Sequence, residues 1–252
     1  LTANAATGFR SPNIDDMGKL FDSEAGSVVV PNKNLQAEYA YSVDVGFAAT
    51  ILDFVKIDAT GYYTLLDNAM VRRDFTLNGM DSVIYEGDLS QVQAIQNAAQ
   101  STVYGVQAGI QFDFGNGFGL SSRINYQKGE EELDNGDKSP SRHAAPLFGN
   151  TKLTYHYKNL DLQFYAVYNA ERKAKDMPEE ELGKTEFYAL DVNGEPYSPA
   201  WYTLNFKTMY RVNETLHLTA GLENITDQRY RPYSSGISAP GRNFIIGVKA
   251  KF

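Results

Sequence analysis

Apolar and polar residues alternate along most of the chain, and the last ten residues, "NFIIGVKAKF", show the pattern clearly. Every second residue of this stretch is apolar: Phe244, Ile246, Val248, Ala250 and Phe252. The residues between them are largely polar and include two lysines. Because successive side chains of a β-strand point to opposite faces, the pattern predicts a strand with one apolar and one largely polar face.

The same alternation predicts ten β-strands and no confident helix. Their lengths suit the roughly 9–11 residues that a tilted membrane-spanning strand needs. The strands are expected near residues 1–8, 37–50, 54–74, 98–114, 117–131, 144–157, 160–173, 200–211, 215–224 and 240–252. Residues 89–100 could form a helical turn or two, but their apolar residues do not follow helical spacing.

The connections between these strands alternate between short and long. Four are hairpins of two or three residues ("ILD", "GN", "KN" and "VNE"), and five are loops of about 12–28 residues. Long loops without secondary structure are uncommon in compact soluble domains. Short turns at one end and long loops at the other are typical of outer-membrane β-barrels.

In nine of these strands, one face carries no charged side chain over the eight to ten residues nearest the short hairpins. A charge on a lipid-facing position would cost about 2–4 kcal/mol at mid-membrane, so a lipid-facing surface explains the exclusion. A soluble β-sandwich also alternates, but its charged face meets water and its strands are shorter. We therefore expect an all-β fold, an antiparallel up-and-down transmembrane β-barrel with short periplasmic turns and long extracellular loops.

The composition excludes several classes of site. The net charge of −8 argues against nucleic acid as a partner. The chain has no cysteine, so it offers no disulfide framework and no thiolate metal site. The sequence shows no nucleophile–base arrangement and no metal-ligand spacing, so neither a catalytic residue nor a metal site is predicted.

Three short stretches gain specificity from their order and spacing. They are "TGFRSPNIDD" (7–16), "VPNKNLQAE" (30–38) and "GLENITDQRYRPYSSGISAPGRNFIIGVKAKF" (221–252). The first two resemble the paired FRAP and NPNL boxes of the TonB-dependent outer-membrane receptors, and the third resembles the carboxy-terminal end of that family. The chain is thus similar to the carboxy-terminal half of a 22-stranded barrel. The residues "GFRSPN" and "VVVPN" are similar to the corresponding residues in receptors of the Bacteroidetes.

The resemblance implies an active importer with no enzymatic activity and no cofactor. An amino-terminal plug, which would lie outside this chain together with the signal and the TonB box, fills such a barrel and is pulled by the TonB–ExbB–ExbD complex. The expected substrate is a scarce nutrient, first an iron chelate such as a ferric siderophore, or haem, with cobalamin and glycans as alternatives. Further expected partners are the barrel assembly machinery, outer-membrane lipid, lipopolysaccharide and a surface lipoprotein.

Aromatic and basic residues of the extracellular loops are the candidate ligand-binding residues. Such groups can stack on a flat ligand or clamp carboxylates. The set is Arg10, Tyr85, His143, Arg229, Tyr230, Arg231 and Tyr233. The alternative is that the aromatic rings pack the loops and the arginines pair with neighbouring acids or with lipopolysaccharide phosphates. Haem receptors of the family often carry a ligand histidine between the two boxes, and residues 13–29 contain none, which weakens the haem interpretation.

Two other sets of residues have predicted roles in the barrel itself. The lumen-facing residues, which would contact the plug, are Arg123, Lys152, Asp161, Lys207 and Glu223. The alternating residues that resemble the assembly signal of outer-membrane barrels are Phe244, Ile246, Val248 and Phe252.

Two alternative functions remain open at this stage. A passive ten-stranded channel or an adhesin would be indicated if the open reading frame began near Leu1, just after a signal. An outer-membrane enzyme would need a Ser/His/Asp set or similar at the barrel rim, where His143 is the one histidine that the pattern places.

Overall fold

The computed structural model describes residues 1–24, 26–133, 137–142, 144–182, 184 and 186–251. Strands dominate it, and helical structure is limited to α1 (Ile14–Gly18) and two 3₁₀ turns, Ala174–Asp176 and Glu179–Glu181. No helix of the described residues is long and apolar enough to cross a membrane. The strands are β1 (Thr2–Arg10), β2 (Phe21–Glu24), β3 (Ser27–Val29), β4 (Glu38–Ile51), β5 (Val55–Asp74), β6 (Ser82–Tyr85), β7 (Asp88–Asp113), β8 (Phe118–Glu132), β9 (Lys138–Pro140), β10 (Phe148–Tyr157), β11 (Leu160–Asn169), β12 (Ala189–Leu190), β13 (Pro196–Tyr197), β14 (Trp201–Arg211), β15 (Leu216–Glu223) and β16 (Asn243–Ala250).

Ten of these strands form one continuous antiparallel meander. Their order in the sheet is β1-β4-β5-β7-β8-β10-β11-β14-β15-β16, which is also their order in the chain. The sheet stays open, since among the described residues β1 and β16 each pair along one edge only. The predicted set of ten up-and-down strands is therefore confirmed.

Short hairpins join these strands at one end of the sheet, and long segments join them at the other. In the hairpin of residues 52–54, Leu52 and Asp53 adopt positive φ angles of 53° and 55°, which gives a tight turn the twist that antiparallel strands require. In the hairpin of residues 212–215, the Asn213 carboxamide oxygen accepts hydrogen bonds from the N–H groups of Thr215 and Leu216 at 2.9 and 2.8 Å. These local bonds close the turns without help from distant residues.

The apolar side chains of the meander lie on an exposed face. Val45, Leu218 and Val248 are 63%, 41% and 68% exposed, although a β-sandwich would bury such residues between two sheets. Near the short hairpins the same face carries aromatic rings, with Phe118 and Tyr155 4.3 Å apart between centroids. The sandwich is excluded, and the arrangement is that of a barrel wall whose outer side meets lipid.

The helical turn considered for residues 89–100 is wrong, because these residues extend β7, which begins at Asp88 rather than near residue 98. Ser90, Val92 and Ala94 are 4%, 0% and 0% exposed, which is the two-residue period of a strand. The extension pairs with β6 and with the outer part of β5, and it pairs in parallel with β3. The neighbouring strand β6 and the distant strands β3 and β5 therefore hold this segment in an extended conformation.

The expectation of no helix also needs a small correction. Asn13 accepts hydrogen bonds from the N–H groups of Asp15 and Asp16, and the Asp16 carboxylate accepts from the Asn13 N–H, so a capping box starts α1. The sequence carries this Asn-x-x-Asp signal, but five residues are too few to show a helical apolar period.

Three predicted strand ends extend too far. β10 begins at Phe148 rather than residue 144, and β16 begins at Asn243 rather than residue 240. Pro146 and Pro240 lie in the lost stretches, and proline has no N–H to donate to a sheet. β11 ends at Asn169 rather than residue 173, because the chain turns there to pair Arg172 with Ser198.

We expect a lysine on the apolar face of the meander to destabilise the complete protein far more than a lysine on the polar face. Val106→Lys should lower the free energy of unfolding by about 2–4 kcal/mol, because the charge would enter hydrocarbon. Gln107→Lys, the next residue of β7, should change it little. Urea unfolding in lipid vesicles measures both, and equal effects would contradict a lipid-facing surface.

Candidate functional site

The long segments at the outer end of the strands pack into two groups. The first loop group comprises residues 11–37 and 75–97, and it surrounds an apolar cluster of Val28, Val30, Val92 and Ala94. The second loop group comprises residues 133–147, 170–200 and 224–242, and charged and phenolic side chains hold it together. The two groups therefore rely on different interactions.

Arg10 and Tyr85, two of the predicted ligand-binding residues, make contacts inside the first loop group. The Arg10 guanidinium lies 2.6 Å from a Glu38 carboxylate oxygen and 3.1 Å from one of Asp16. Glu38 also accepts a hydrogen bond from the Met70 N–H at 3.0 Å. This ion pair links the two sequence boxes, since Arg10 belongs to the first and Glu38 closes the second. Tyr85 packs against the apolar cluster of this group.

Arg172 joins all three segments of the second loop group. Its guanidinium donates to the carbonyl oxygens of Ala144 and Asp176, at 2.8 and 2.7 Å, and to the hydroxyl of Tyr233. Arg172 is 9% exposed, and such a buried cation needs this many acceptors to offset its lost hydration. Burial raises the pKa of Tyr233 although the Arg172 charge opposes the shift, so the phenol stays neutral.

Glu181 is a fully buried carboxylate in the same group, 0% exposed. Its Oε1 lies 2.8 Å from both Lys184 Nζ and Arg142 Nε, and the Tyr188 hydroxyl donates to its Oε2 at 2.7 Å. Burial would raise the pKa of Glu181, but the hydrogen bonds from Lys184 and Tyr188 and the charge of Arg142 outweigh it and lower the pKa. Burial and the bond to Glu181 raise the pKa of Tyr188. The carboxylate is therefore ionised and the phenol protonated at neutral pH.

We expect the order of the second loop group to depend on acid through Glu181. A carboxylate whose folded-state pKa is lowered stabilises the fold above its ordinary pKa, near 4.5, and loses that contribution as pH falls below it. Amide hydrogen exchange of residues 170–200 should stay constant from neutral pH to about 5, once corrected for intrinsic rates, and then rise.

Glu181→Gln should remove this acid-dependent step, and Glu179→Gln, which changes an exposed carboxylate of the same segment, should keep it. An identical acid response in wild type and Glu181→Gln would assign the step to other carboxylates.

A cavity of about 520 Å³ opens between residues 186–201 and 228–238. The rings of Trp201 and Tyr230 stack in its wall with centroids 4.2 Å apart. Arg229 is exposed beside them, and Arg231 donates a hydrogen bond to the Glu186 carbonyl. Stacked rings next to guanidinium groups can hold a planar, negatively charged molecule.

The structure thus brings three of the predicted ligand-binding residues, Arg229, Tyr230 and Arg231, to one cavity. Tyr233 lies behind the cavity wall on Arg172, whereas Arg10 and Tyr85 belong to the first loop group. His143 lies outside the described residues. Trp201 was not among the predicted ligand-binding residues. It could have been found from the sequence, because it is the one tryptophan of the chain and lies at the start of a predicted strand, next to a long loop.

The segment "NITDQRY" and the later "APGR" close the turn that carries Tyr230. The buried Asn224 carboxamide donates to the carbonyl oxygens of Gln228 and Pro240, at 2.8 and 3.2 Å, and accepts from the Gln228 N–H at 2.9 Å. The Asp227 carboxylate accepts from the Arg242 N–H at 2.7 Å. A Cβ on Gly241 would lie 2.7 Å from this carboxylate, so a larger residue there would displace the Asp227 side chain.

Asn224→Ala should loosen this turn, because it leaves buried backbone groups unpaired at a cost of about 1–3 kcal/mol and places alanine at a φ of 47°. Asn224→Gly removes the backbone strain but not the lost hydrogen bonds, so it should be intermediate. Hydrogen exchange of residues 224–242 measures the effect, with the exposed Asn213→Ala as control. Wild-type protection in both Asn224 variants would contradict this role.

The five predicted lumen-facing residues share the polar face of the meander. Arg123, Lys152 and Asp58 line a concavity with a volume of about 500 Å³, and the Asp58 carboxylate lies 3.9 Å from the Arg123 guanidinium. Further along, Asp161 lies 2.6 Å from His156 Nδ1, and Glu223 accepts a 3.4 Å hydrogen bond from the Tyr165 hydroxyl. Lys207 stands opposite Gln163 and Gly221 in the ladders.

The structure describes three of the four residues predicted to form the assembly signal. Phe244, Ile246 and Val248 are 74%, 86% and 68% exposed on the outer face of β16, and Phe252 lies outside the described residues. Across the part of the chain that the structure describes, no three His, Asp or Glu side chains gather in a way that could hold a metal ion.

The fold and the loop geometry agree with a known family of proteins. The family model described as "TonB dependent receptor-like, beta-barrel" matches residues 1–225. The chain belongs to this family. The ten strands of the meander are the carboxy-terminal part of such a barrel. The similarity to these receptors implies an outer-membrane β-barrel. The members of the family are transporters rather than enzymes.

Solved structures share the fold at low sequence identity. The ferric enterobactin receptor from Pseudomonas aeruginosa gives a TM-score of 0.76 at 16% identity, covering 99% of this chain and 38% of that chain. The siderophore receptor PirA from Acinetobacter baumannii gives 0.74 at 16% identity, with 99% and 38% covered. The copper transporter OprC gives 0.71 at 15% identity, with 99% and 36% covered. The chain therefore spans little more than a third of these proteins.

Proposed function

We propose that this chain is part of an outer-membrane receptor that imports a scarce nutrient with energy from the TonB–ExbB–ExbD complex. The observation that carries the proposal is the preformed cavity at the outer end of a lipid-facing meander with a polar inner wall. Such a cavity can capture a ligand outside the cell, and a polar wall can guide it inwards. A passive channel or adhesin would not need this combination, and family membership also favours the receptor.

The substrate we propose is an anionic iron chelate of the siderophore class. Trp201 and Tyr230 offer flat surfaces for aromatic or planar groups, and Arg229 offers an exposed guanidinium. The charged residues that line the cavity are Arg229, Arg231 and Glu186, so its lining carries one net positive charge, which favours an anion. Two of the similar structures are named as siderophore receptors.

Haem is the second candidate, because a planar dianionic ring would also suit stacked aromatics and arginines. A haem ligand on this chain would have to come from His143 or from a residue other than histidine, since His156 and His217 lie on strands near the short hairpins.

The origin of the chain in the Bacteroidetes also stays a prediction.

The mechanism we propose begins with capture by the second loop group. An amino-terminal plug, supplied by the complete protein, then moves when the inner-membrane complex pulls on it and opens a path along the polar wall. Arg123, Lys152, Asp161, Lys207 and Glu223 would hold the resting plug through hydrogen bonds and ion pairs. The assembly machinery, lipopolysaccharide and a surface lipoprotein complete the proposed partners.

Uptake by cells that carry or lack the complete gene tests this function. We expect the gene to confer uptake of a ⁵⁵Fe-labelled ferric siderophore, and we expect a protonophore to abolish that uptake. Haemin, cyanocobalamin, Cu²⁺ and an oligosaccharide are the parallel probes. Uptake of none of them, or uptake that survives the protonophore, would overturn the energy-coupled importer.

Arg229→Ala in the complete receptor should weaken binding of the transported chelate about tenfold, since a lost charged hydrogen bond costs about 1.5–3 kcal/mol. Trp201→Ala should weaken it similarly through the lost ring surface. Lys175→Ala, an exposed cation of the same loop group, is the control. Quenching titrations with the purified receptor give the dissociation constants, and equal values for all variants would move the binding site elsewhere.

A further inference from the structure

We propose that Glu181 is a positioning residue for the aromatic pair of the cavity, acting through Tyr188 and the backbone of residues 186–188. The inference deepens the proposed function, on which its biological meaning rests. Glu181 does not line the cavity itself, because it is 0% exposed and does not reach the surface that a ligand would touch.

The first step is the setting of Glu181, which accepts hydrogen bonds from Lys184 and Tyr188 and forms an ion pair with Arg142. Arg142 belongs to residues 133–147, whereas Lys184 and Tyr188 belong to residues 170–200, and all three side chains converge on one carboxylate within 2.8 Å. Without the negative charge, the half-buried Arg142 and Lys184 cations would face each other with no anion between them. The carboxylate therefore holds two segments together that would otherwise repel each other.

The second step links Glu181 to the cavity wall. Tyr188 is 5% exposed, it is one of the residues that line the cavity, and its hydroxyl is bound to Glu181. The hydrogen bond sets where the ring of Tyr188 lies and so where the backbone of residues 186–188 runs. Phe187, the neighbouring residue, packs so closely on Gly236 that a Cβ there would lie 2.7 Å from its ring. Residues 186–188 are thus held from both sides.

The third step reaches the aromatic pair. The Glu186 carbonyl accepts a hydrogen bond from the Arg231 guanidinium, and Arg231 directly follows Tyr230 in the chain. Tyr230 in turn stacks on Trp201 at 4.2 Å. A change at Glu181 can therefore travel through Tyr188, Glu186 and Arg231 to the stacked rings. The geometry predicts that Trp201 loses its ring partner when Glu181 no longer holds Tyr188.

Acrylamide quenching of Trp201 fluorescence in the complete receptor tests this step without any ligand. Each variant is measured with and without Trp201→Phe, and the difference isolates Trp201 from any other tryptophan. Glu181→Gln and Tyr188→Phe should each raise the quenching constant of Trp201 about twofold, because stacking covers one of the two faces of the indole. Glu179→Gln, an exposed carboxylate nearby, should match wild type.

Tyr188→Phe keeps the ring and removes its hydroxyl, which bonds both Glu181 and Ser234. With Ser234→Ala as its control, which should match wild type, Tyr188→Phe decides the matter if Glu181→Gln does not assemble. The thermal midpoint of the barrel should stay within error of wild type in Tyr188→Phe, which separates positioning from general stability. Wild-type quenching in Tyr188→Phe and in any assembled Glu181→Gln would overturn the proposal. Because no ligand is used, this outcome is independent of whether the uptake experiments support an importer.

Discussion

Contact between hydrocarbon and one face of the meander is the constraint on which the rest of the structure depends. Val45, Leu218, Val248 and their neighbours remain exposed because lipid, rather than protein, covers them in a barrel wall. That requirement keeps charges on the opposite face and makes the strands long. It also forces each backbone group within the membrane to pair with a neighbouring strand. The continuous antiparallel order of the ten strands satisfies that demand.

Outside the membrane, the two loop groups form the water-facing part of the chain, and they are held together by different interactions. The first has a small aliphatic core around Val28 and Val92, fixed at its base by the Arg10–Glu38 ion pair. The described part of the second buries Met177 and Tyr188 and also the charged Arg172 and Glu181, which are each surrounded by partners. Buried charges of this kind contribute little net stability but penalise misplacement severely, which suits loops that must present a defined surface.

The sequence boxes acquire a physical meaning from these contacts. Arg10 and Glu38 join the two ends of the first long loop, and Asn224, Asp227 and Gly241 close the last one. In both places a family-like motif fixes the base of a loop. The candidate cavity lies beyond the last of these bases, where Tyr230 meets Trp201.

The sequence by itself determined the strand number, their order, the two faces and the placing of long loops at one end. These features follow from local rules, since alternation, hairpin residues and the exclusion of charge from lipid all operate within a few residues. Only the tertiary structure decided that residues 89–100 extend β7, because two of their pairing partners, β3 and the outer part of β5, come from distant parts of the chain. It likewise decided that Arg10 serves an ion pair while Arg229 borders a cavity, and that Glu181, in an acidic run typical of a solvated loop, is fully buried. Whether a charged side chain binds a ligand or a neighbouring loop depends on contacts across tens of residues, and such contacts leave no periodic trace in the chain.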